Sequence, residues 1–441
     1  MKFEQLVLYK NFSEEYSEVI LELTDIIDHY QEVADDETMK QYYVERLFTA
    51  FNQLVEVTDH YGLEGNLWKS FFALVLASNE NAYSRSCEIV GEMPGTVNEL
   101  ALHDFKILKE YFDFDMTKLD EAFDVKVFSM VQKYQRADET SKIFNKRIRN
   151  TICELAVELA DTKDEEEFKN VITEFYHHFG VGKLGLNKAF RIKTSEETAG
   201  AAEIVPIPNI QHIYLKDLVG YELQKKKLVD NTEAFVEGRK ANNCLLFGDS
   251  GTGKSSSIKA ILNEYYDKGL RIIEVYKHQF RDLNSVIEQI KDRKYKFIIY
   301  MDDLSFEEYE IEYKYLKAII EGGLGKKPEN VLIYATSNRR HLIRETSSDK
   351  DDRAEDMHTS DTVQEKLSLV NRFGVTIYYG APGKKEFQEI VRNLAEKYKI
   401  DMPEEELLIQ ANAWELSHGG LSGRTAEQFV SHLVGLQNKQ A

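Results

Sequence analysis

Cysteine and proline are scarce in this chain of 441 residues, and long apolar runs are missing. The three cysteines, Cys87, Cys153 and Cys244, lie far apart, which excludes a disulfide framework or a cysteine zinc cluster. No apolar run reaches the roughly 18 residues that a membrane-spanning helix needs. The first residues, Met1-Lys2-Phe3-Glu4, do not follow the layout of a signal peptide. We therefore expect a soluble cytoplasmic protein with no membrane partner.

Basic residues are also under-represented in the first half of the chain. Residues 1–200 contain 22 Lys and Arg against 38 Asp and Glu, whereas residues 201–441 contain 34 against 38. Nucleic acids are bound mainly through cationic side chains, so this balance argues against a nucleic-acid partner. Two interpretations of the acidic half stay open, namely simple solubility and a docking face for a basic segment of a partner protein.

The longest basic run in the second half, Lys225-Lys226-Lys227, has no aromatic residue within it. Single-stranded nucleic acids are usually gripped by basic grooves with interleaved aromatic rings. The run is instead typical of a solvated helix face.

Proline occurs once in residues 1–180, at Pro94, and strand-like alternation is rare there. Apolar residues instead recur at helical spacing, and Gly62 is placed to end one of the helices. The pattern predicts an acidic all-helical domain over residues 1–195, with six to eight helices and the aromatic residues in its core. The apolar stripes are Val19, Ile20, Leu23, Ile26, Ile27 and Tyr30; Leu47, Phe48, Phe51, Leu54 and Val55; Phe105, Leu108 and Phe112; and Phe168, Val171, Ile172 and Phe175.

Small and polar residues between 194 and 202, followed by Pro206 and Pro208, are typical of a linker. We place this linker at 196–212. A nucleotide-binding α/β domain is predicted for 213–381 and a helical lid domain for 382–441.

Short apolar segments alternate with helical stretches after the linker. This alternation indicates a mostly parallel sheet with helices on both faces, whose ligands lie at the carboxyl ends of the strands. Helical stretches at 384–398, 404–416 and 422–437 then form the lid. The predicted strands are 244–247, 271–275, 297–302, 331–336 and 375–379.

A complete phosphate-binding loop follows the first of these strands. Residues 248–255 fit G-x-x-x-x-G-K-[ST] at every fixed position. Glycine turns let several backbone N–H groups point at one anion, and the following helix adds a partial positive charge. Lys254 can reach the β- and γ-phosphates, and Ser255 can ligate Mg²⁺. The predicted phosphate contacts are Gly248, Asp249, Ser250, Gly251, Thr252, Gly253, Lys254, Ser255 and Ser256.

Polar side chains end two further strands. Asp302 and Asp303 follow the strand at 297–302, and Asn338 follows the strand at 331–336. Asp302 is a candidate for the second Mg²⁺ contact, usually made through water. Asp303 is then placed to polarise an attacking water, and Asn338 to orient it. As isolated residues they would be an acidic turn and an ordinary loop asparagine, so their assignment depends on the phosphate-binding loop upstream.

These residues together resemble the AAA+ ATPases. The phosphate-binding loop, Asp302-Asp303, Asn338, the segment Asn-Arg-Phe-Gly at 371–374 and the segment Gly-Leu-Ser-Gly-Arg at 420–424 occur in the AAA+ order over about residues 215–437. Residues 302–307, 335–342 and 81–85 are similar to one uncharacterised bacterial AAA+ family, over nearly the whole chain. The resemblance implies an α/β P-loop NTPase fold with a small helical lid, preceded by an all-α domain.

The resemblance also implies roles for two arginines. Arg372 matches the arginine that reaches the γ-phosphate of a neighbouring subunit, so a ring or partial ring of identical subunits is expected. Arg339 and Arg340 are alternatives for the same role. Arg424 matches an arginine that senses nucleotide from the start of a lid helix.

The base of the nucleotide is assigned by resemblance as well. The segment 218–221 (Leu-Val-Gly-Tyr) is similar to the stretch that packs beside adenine, which makes Gly220 and Tyr221 candidates for ATP binding. The guanine-specific N-K-x-D pattern is not found in the sequence.

Two departures from the AAA+ pattern affect the expected activity. Most AAA+ ATPases have glutamate where this chain has Asp303, and a carboxylate displaced by about 1.5 Å can cost around 10²-fold in rate. Glu307, or a water relayed from Asp303, would have to compensate. The second departure is an insert at 346–362, rich in Asp, Lys and Ser and typical of a solvated loop.

Three functions are compatible with the sequence. The first is an ATPase that uses Mg²⁺ and ATP in an oligomer to remodel or move a partner protein selected by the acidic domain. The second is an ATP-gated assembly switch with slow turnover, which Asp303 would explain. The third, a nucleic-acid motor or loader, is disfavoured by the charge distribution.

Overall fold

The structure is a computed structural model. It describes residues 3–92, 94–135, 144–194, 202–208, 210–307, 310, 312–321, 328–338, 342 and 369–437. The chain forms two compact units, Met1–Asn187 and Lys188–Ala441. No helix in these ranges has the length and apolarity needed to cross a membrane.

The first unit is all-helical, as predicted. Its described part has nine α-helices, two of them with only seven and five residues, against the six to eight expected. Gly62 follows the second helix at φ 69°, a left-handed conformation that glycine adopts without strain. The helices are α1 Glu14–Val33, α2 Glu37–Tyr61, α3 Leu67–Ser78, α4 Ala82–Val90, α5 Thr96–Phe112, α6 Thr117–Phe123, α7 Lys146–Ala160, α8 Glu165–Phe179 and α9 Gly182–Leu186.

One continuous apolar core holds this unit together, and the predicted stripes supply much of it. The buried part includes Trp68, Phe105, Phe112 and Phe168. Phe48 is the exception, because 47% of it is exposed on the outer face of α2. Its assignment to the core was therefore wrong.

The second unit is built on one sheet of seven strands within the described residues. The strands are β1 Ala189–Thr194, β2 Ala202–Pro206, β3 Cys244–Gly248, β4 Leu270–Glu274, β5 Lys296–Met301, β6 Val331–Ser337 and β7 Val375–Tyr379. Their order is β2-β1-β4-β5-β6-β3-β7, and every pair is parallel except β1 with β2. The carboxyl ends of the five predicted strands, β3 to β7, therefore meet at one edge of the sheet.

Strand β1 lies within residues 1–195, which were predicted to be all-helical, and β2 lies within the predicted linker. Phe190 and Ile192 are buried, and β1 pairs in parallel with β4, so the residues just after 187 belong to the nucleotide-binding unit. The boundary between the compact units thus falls between Asn187 and Lys188 rather than near 196. Pro206 is compatible with a strand here because β2 lies at the edge of the sheet, where one N–H can be missing.

Helices surround the sheet and continue into a three-helix lid. The lid has its own apolar core, which includes Phe387, Val391, Phe429 and Val430. The helices are α10 Glu222–Val236, α11 Lys254–Tyr265, α12 Leu283–Ile290 and α13 Glu312–Glu321 around the sheet, and α14 Lys384–Lys397, α15 Glu404–Ser417 and α16 Gly423–Gln437 in the lid.

Candidate functional site

The phosphate-binding loop connects β3 to the first residue of α11. Gly248, Gly251 and Gly253 have φ angles of 138°, 74° and 89°, which side-chain-bearing residues rarely adopt. A Cβ added at Gly248 would lie 2.0 Å from the carbonyl oxygen of Tyr379 on the neighbouring strand β7. The glycines are therefore required by the backbone conformation and, at Gly248, by close packing against β7.

The Lys254 side chain folds back along its own loop. Its Nζ donates to the carbonyl oxygens of Gly248 at 3.0 Å and Asp249 at 2.6 Å, and only 6% of the residue is exposed. Burial lowers the pKa of this ammonium group, although the carboxylates of Asp249, Asp303 and Asp302 act in the opposite direction. The ammonium group has three donors, so it can exchange these two carbonyls for the stronger acceptor oxygens of a phosphate.

Asp302 is the centre of a hydrogen-bond network at the end of β5. Its Oδ1 accepts from the hydroxyls of Ser255 at 2.7 Å, Tyr300 at 2.7 Å and Thr336 at 2.5 Å. Burial raises the pKa of Asp302, but the hydrogen bonds from Thr336, Tyr300 and Ser255 outweigh it and lower the pKa below its usual value. Asp302 is therefore a fixed anion at neutral pH.

Asp303 has a backbone conformation that is unusual for its residue type. Its φ is 49°, in the left-handed region, and its N–H donates to the Thr336 hydroxyl at 3.0 Å. Its Oδ1 accepts from Asn338 Nδ2 at 2.8 Å. The end of β6 thus holds Asp303 at both its backbone and its side chain, and this support offsets the cost of the left-handed conformation.

These groups line a cavity of about 530 Å³ between the sheet edge, residues 213–225 and the lid. Its apolar lining residues are Ile213, Leu218, Val219, Ile390 and Leu394. The other lining residues include the charged and hydroxyl groups of the loop and the strand ends. A cavity of this size with both apolar and polar lining suits a ligand with an aromatic part and a charged part.

Most of the predicted site residues line this cavity. They are Tyr221, Ser250, Gly251, Thr252, Gly253, Lys254, Ser255, Ser256, Asp302, Asp303, Asn338 and Arg424. The predicted residues Gly220, Gly248 and Asp249 are not among the lining residues, and neither is Glu307. Arg339, Arg340 and the insert at 346–362 lie outside the described residues.

Arg372 is not brought to the cavity of its own chain. It precedes β7, and Val375 of that strand is paired with Cys244, the first residue of β3. Arg372 therefore lies near the amino ends of the strands, whereas the phosphate-binding loop lies at their carboxyl ends. A five-residue strand spans about 17 Å, so the two are separated by roughly that distance along the sheet.

Two hydroxyl groups of the site were not identified from the sequence. Tyr300 and Thr336 both donate to Asp302, and Thr336 also accepts from Asp303. Tyr300 could have been found from its spacing to Asp302, because residues i and i+2 of a strand share a face. Thr336 could not have been found in this way, because its contact with Asp302 depends on the pairing of β5 with β6.

Lys225 also departs from its expected solvated position. Only 9% of it is exposed, and its Nζ donates to the carbonyl of Leu218 and to Glu222 Oε1. It lines the cavity, whereas Lys226 and Lys227 are exposed as predicted.

The donor set fits Mg²⁺ with a phosphate ligand. Ser255 and Asp302 present oxygen atoms 2.7 Å apart, and oxygen is the ligand atom that Mg²⁺ prefers. No group of three or more His, Cys, Asp or Glu that could hold a metal ion is found in the described part of the chain. Two protein oxygens leave the other positions to water and phosphate, which is how Mg²⁺ usually binds with nucleotides.

The sheet, the phosphate-binding loop at the end of β3, the acidic end of β5 and the helical lid define an AAA+ ATPase fold for the second unit. The chain belongs to the family described as "Protein of unknown function (DUF815)", which matches residues 186–437. The match begins at Leu186, the last residue of α9, and does not cover residues 1–185, where a family resemblance was also expected.

The chain is also similar to solved structures of AAA+ proteins. One is the Thermotoga maritima RuvB Holliday junction branch migration motor, with 17% identity, coverage of 49% of this chain and 63% of that chain, and a TM-score of 0.34. Another is the FIGL-1 AAA domain in complex with ADP, with 17% identity, coverage of 52% and 76%, and a TM-score of 0.36. The chain spans less than two thirds of the RuvB chain. None of the curated proteins compared with the chain matches it.

Proposed function

We propose that this protein is an ATPase that binds Mg²⁺ and ATP in the 530 Å³ cavity and hydrolyses the nucleotide as an oligomer. The energy would be used to remodel or move a partner protein. The observation that carries the proposal is the meeting of Lys254, Ser255, Asp302, Asp303 and Asn338 at one edge of the sheet. They come from three separate segments of the chain and supply the groups that phosphoryl transfer needs.

Each group has a distinct part in the proposed reaction. Lys254 would hold the β- and γ-phosphates once it leaves its loop carbonyls, and Ser255 and Asp302 would hold Mg²⁺, which neutralises charge on the phosphates. Asp303 would accept the proton of the attacking water. Asn338, bonded to Asp303 at 2.8 Å, would fix that carboxylate and the water beside it.

ATP is the proposed nucleotide because of the resemblance to AAA+ proteins. The apolar lining residues Ile213, Leu218, Val219, Ile390 and Leu394 support a planar base. Tyr221 also lines the cavity, with its ring 5.1 Å from that of Tyr379. Arg424, from the start of α16, would sense the phosphates from the lid side.

The position of Arg372 supports an oligomer. At about 17 Å from the loop along the sheet, its guanidinium group cannot contact a phosphate in its own chain. A neighbouring copy could present Arg372 to this site, and the guanidinium group would then stabilise the charge of the transition state. A site completed in this way is active only in the assembled protein.

The proposal is tested by steady-state ATP hydrolysis over a wide range of protein concentration, with Lys254→Ala as the blank. We expect turnover per subunit to rise with concentration, because assembly brings Arg372 to the neighbouring site. Turnover that is constant down to concentrations where the protein is a monomer would contradict the shared site. The same titration with Mg²⁺ replaced by a chelator should abolish turnover.

A second function, an ATP-gated assembly switch, is favoured by one observation. The Asp303 carboxylate is shorter than the usual glutamate and is already held by Asn338 in a strained backbone conformation. Such a group is a poor base if it cannot approach the water. Tight ATP binding with no turnover above the Lys254→Ala blank, together with ATP-dependent assembly, would establish the switch and exclude the ATPase.

The helical unit is the proposed site of partner selection. The excess of acidic residues in 1–200 suits a basic segment of a partner protein. Such binding should weaken with added salt, because exposed charges are screened over about 8 Å at physiological ionic strength.

A further inference from the structure

The carboxylate of Asp249, in the phosphate-binding loop, contacts the segment 380–383, which connects β7 to the lid and is called the lid entrance here. Asp249 does not line the cavity. Asp249 Oδ2 accepts the backbone N–H of Ala381 at 2.8 Å. The N–H of Asp249 donates to the carbonyl of Tyr379 at 2.9 Å. Ala381 lies in the lid entrance, and Tyr379 is the last residue of β7 just before it. Asp249 therefore binds the backbone on both sides of Gly380.

The same loop also touches the lid at the start of α16. The N–H of Arg424 donates to the carbonyl of Gly251 at 3.4 Å. A Cβ added at Gly251 would lie 3.1 Å from Cβ of Arg424. The loop therefore contacts the chain both at Ala381, just before α14, and at the start of α16, where Arg424 lies.

Tyr221 also contacts the lid entrance. Its hydroxyl donates to the carbonyl of Gly380 at 2.8 Å, and its backbone has a left-handed φ of 60°. Burial raises the pKa of Tyr221 to about 12, so the hydroxyl remains a donor at neutral pH. Tyr221 thus holds Gly380 of the lid entrance. The contact that the phosphate-binding loop itself makes there is the one between Asp249 and Ala381.

We propose that Asp249 is a positioning residue that couples the occupancy of the phosphate-binding loop to the orientation of the lid, and thereby to the position of Arg424. The proposal rests on the proposed function, since it takes a nucleoside triphosphate as the ligand. Lys254 donates to the carbonyl of Asp249 at 2.6 Å, and a triphosphate would draw that ammonium group away. The phosphates would also bring negative charge close to the Asp249 carboxylate. Both changes act on the residue that holds Ala381.

The contact itself is tested in the full-length protein without nucleotide. Hydrogen exchange of the Ala381 amide, resolved by mass spectrometry with fragmentation, should be about tenfold faster in Asp249→Ala, because its acceptor is lost. Asp267→Ala is the matched control, since it removes an exposed carboxylate just beyond the far end of α11. Equal exchange in Asp249→Ala and the wild type would overturn the proposal.

The coupling is tested by the ratio of ATP affinity to ADP affinity, measured by calorimetric titration. We expect this ratio to fall about tenfold in Asp249→Ala and to stay within about threefold in Asp249→Asn, which keeps an acceptor oxygen. Adding Arg424→Ala to Asp249→Ala should change the ratio little further, because both variants disturb one element.

The outcomes separate the coupling from the function on which it rests. If the wild type binds ATP and Asp249→Ala keeps the wild-type ratio, the coupling is wrong and the proposed function stands. If the wild type does not bind ATP, the proposed function fails and the coupling fails with it, whatever the exchange experiment shows. Should Asp249→Ala not fold, Ala381→Pro removes the donor instead and should give the same fall in the ratio of ATP affinity to ADP affinity.

Discussion

At the scale of single residues, the site is determined by which polar groups are held and by what. Thr336 supports both aspartates, since its hydroxyl donates to the Asp302 carboxylate and accepts from the backbone N–H of Asp303. Asp302 is thereby kept ionised and fixed. Both residues are exposed, but within the described residues the Asp303 carboxylate accepts a hydrogen bond from Asn338, against three hydroxyl donors on Asp302. This difference agrees with the two proposed roles, a rigid metal ligand and a base that must meet water.

Replacing the proposed base tests its role with little disturbance of the fold. In Asp303→Asn the side chain keeps its size, and asparagine tolerates a left-handed backbone as well as aspartate does. We expect ATP turnover to fall by about 100-fold or more, because general-base catalysis is lost, while ATP binding stays within a few-fold. Single-turnover kinetics and ATP titration measure the two effects separately. A variant that turns over at the wild-type rate would show that Asp303 is not the base.

At the scale of elements, the phosphate-binding loop is constrained by its neighbours as well as by its ligand. Gly248 lies against the backbone of β7, Asp249 holds the lid entrance, and Gly251 contacts the start of α16. A side chain at the first glycine would meet a backbone atom that cannot rotate away. The loop sequence is therefore required by strand packing independently of nucleotide binding.

A pair of glycine substitutions separates packing from backbone strain. Gly248→Ala should lower the free energy of unfolding by about 3 kcal/mol, because its Cβ would lie 2.0 Å from the carbonyl oxygen of Tyr379. Gly238 also has a positive φ, 75° against 138° at Gly248, but no atom lies within 4 Å of the added Cβ. Gly238→Ala should cost about 1 kcal/mol from backbone strain alone. Urea unfolding followed by circular dichroism measures both, and equal losses would exclude the packing explanation.

At the scale of the whole molecule, the chain combines an acidic helical unit with an AAA+ unit. The cavity contains the phosphate-binding groups, but Arg372 lies at the other end of the strands. Under the proposed function, activity therefore belongs to the assembly. Two copies with different defects should complement each other.

Mixing two inactive variants tests this expectation. Lys254→Ala keeps Arg372 but loses the phosphate contact, and Arg372→Ala does the reverse, so each alone should be at least tenfold less active. An equal mixture should recover about a quarter of wild-type turnover, since about a quarter of randomly formed contacts join an intact loop to an intact arginine. ATP hydrolysis before and after mixing measures this. No recovery, in a mixture shown to exchange subunits, would contradict a shared site.

Much of the second unit could be predicted from the sequence. The five strands β3 to β7 and the three lid helices lie within a residue or two of the predicted bounds. The reason is that each has a local signal, either an apolar run ending in a polar residue or a helical period. The phosphate-binding loop was equally clear, because its fixed positions are contiguous and glycine at those positions has a conformational cause.

Other features were decided by contacts between distant residues. Strand β1 was assigned to the helical domain, and β2 to a linker because small residues precede it and prolines lie at and after its end. The pairing of β1 with β4, and of β2 with β1, shows that both belong to the sheet. Phe48 fitted an apolar stripe, yet α2 presents it outward. Lys225 fitted a solvated run, yet its Nζ is held by the carbonyl of Leu218.

The sequence alone therefore determined the chemistry of the site, and the tertiary structure determined how that chemistry is held. Lys254 and Ser255 could be recognised from the contiguous pattern of the loop, and Asp302 and Asn338 from their positions at strand ends downstream of it. The support given by Thr336 to the Asp302 carboxylate and the Asp303 backbone, the distance of Arg372 from its own cavity and the contact between Asp249 and Ala381 could not. They join residues more than thirty positions apart, and only the pairing of strands brings such residues together.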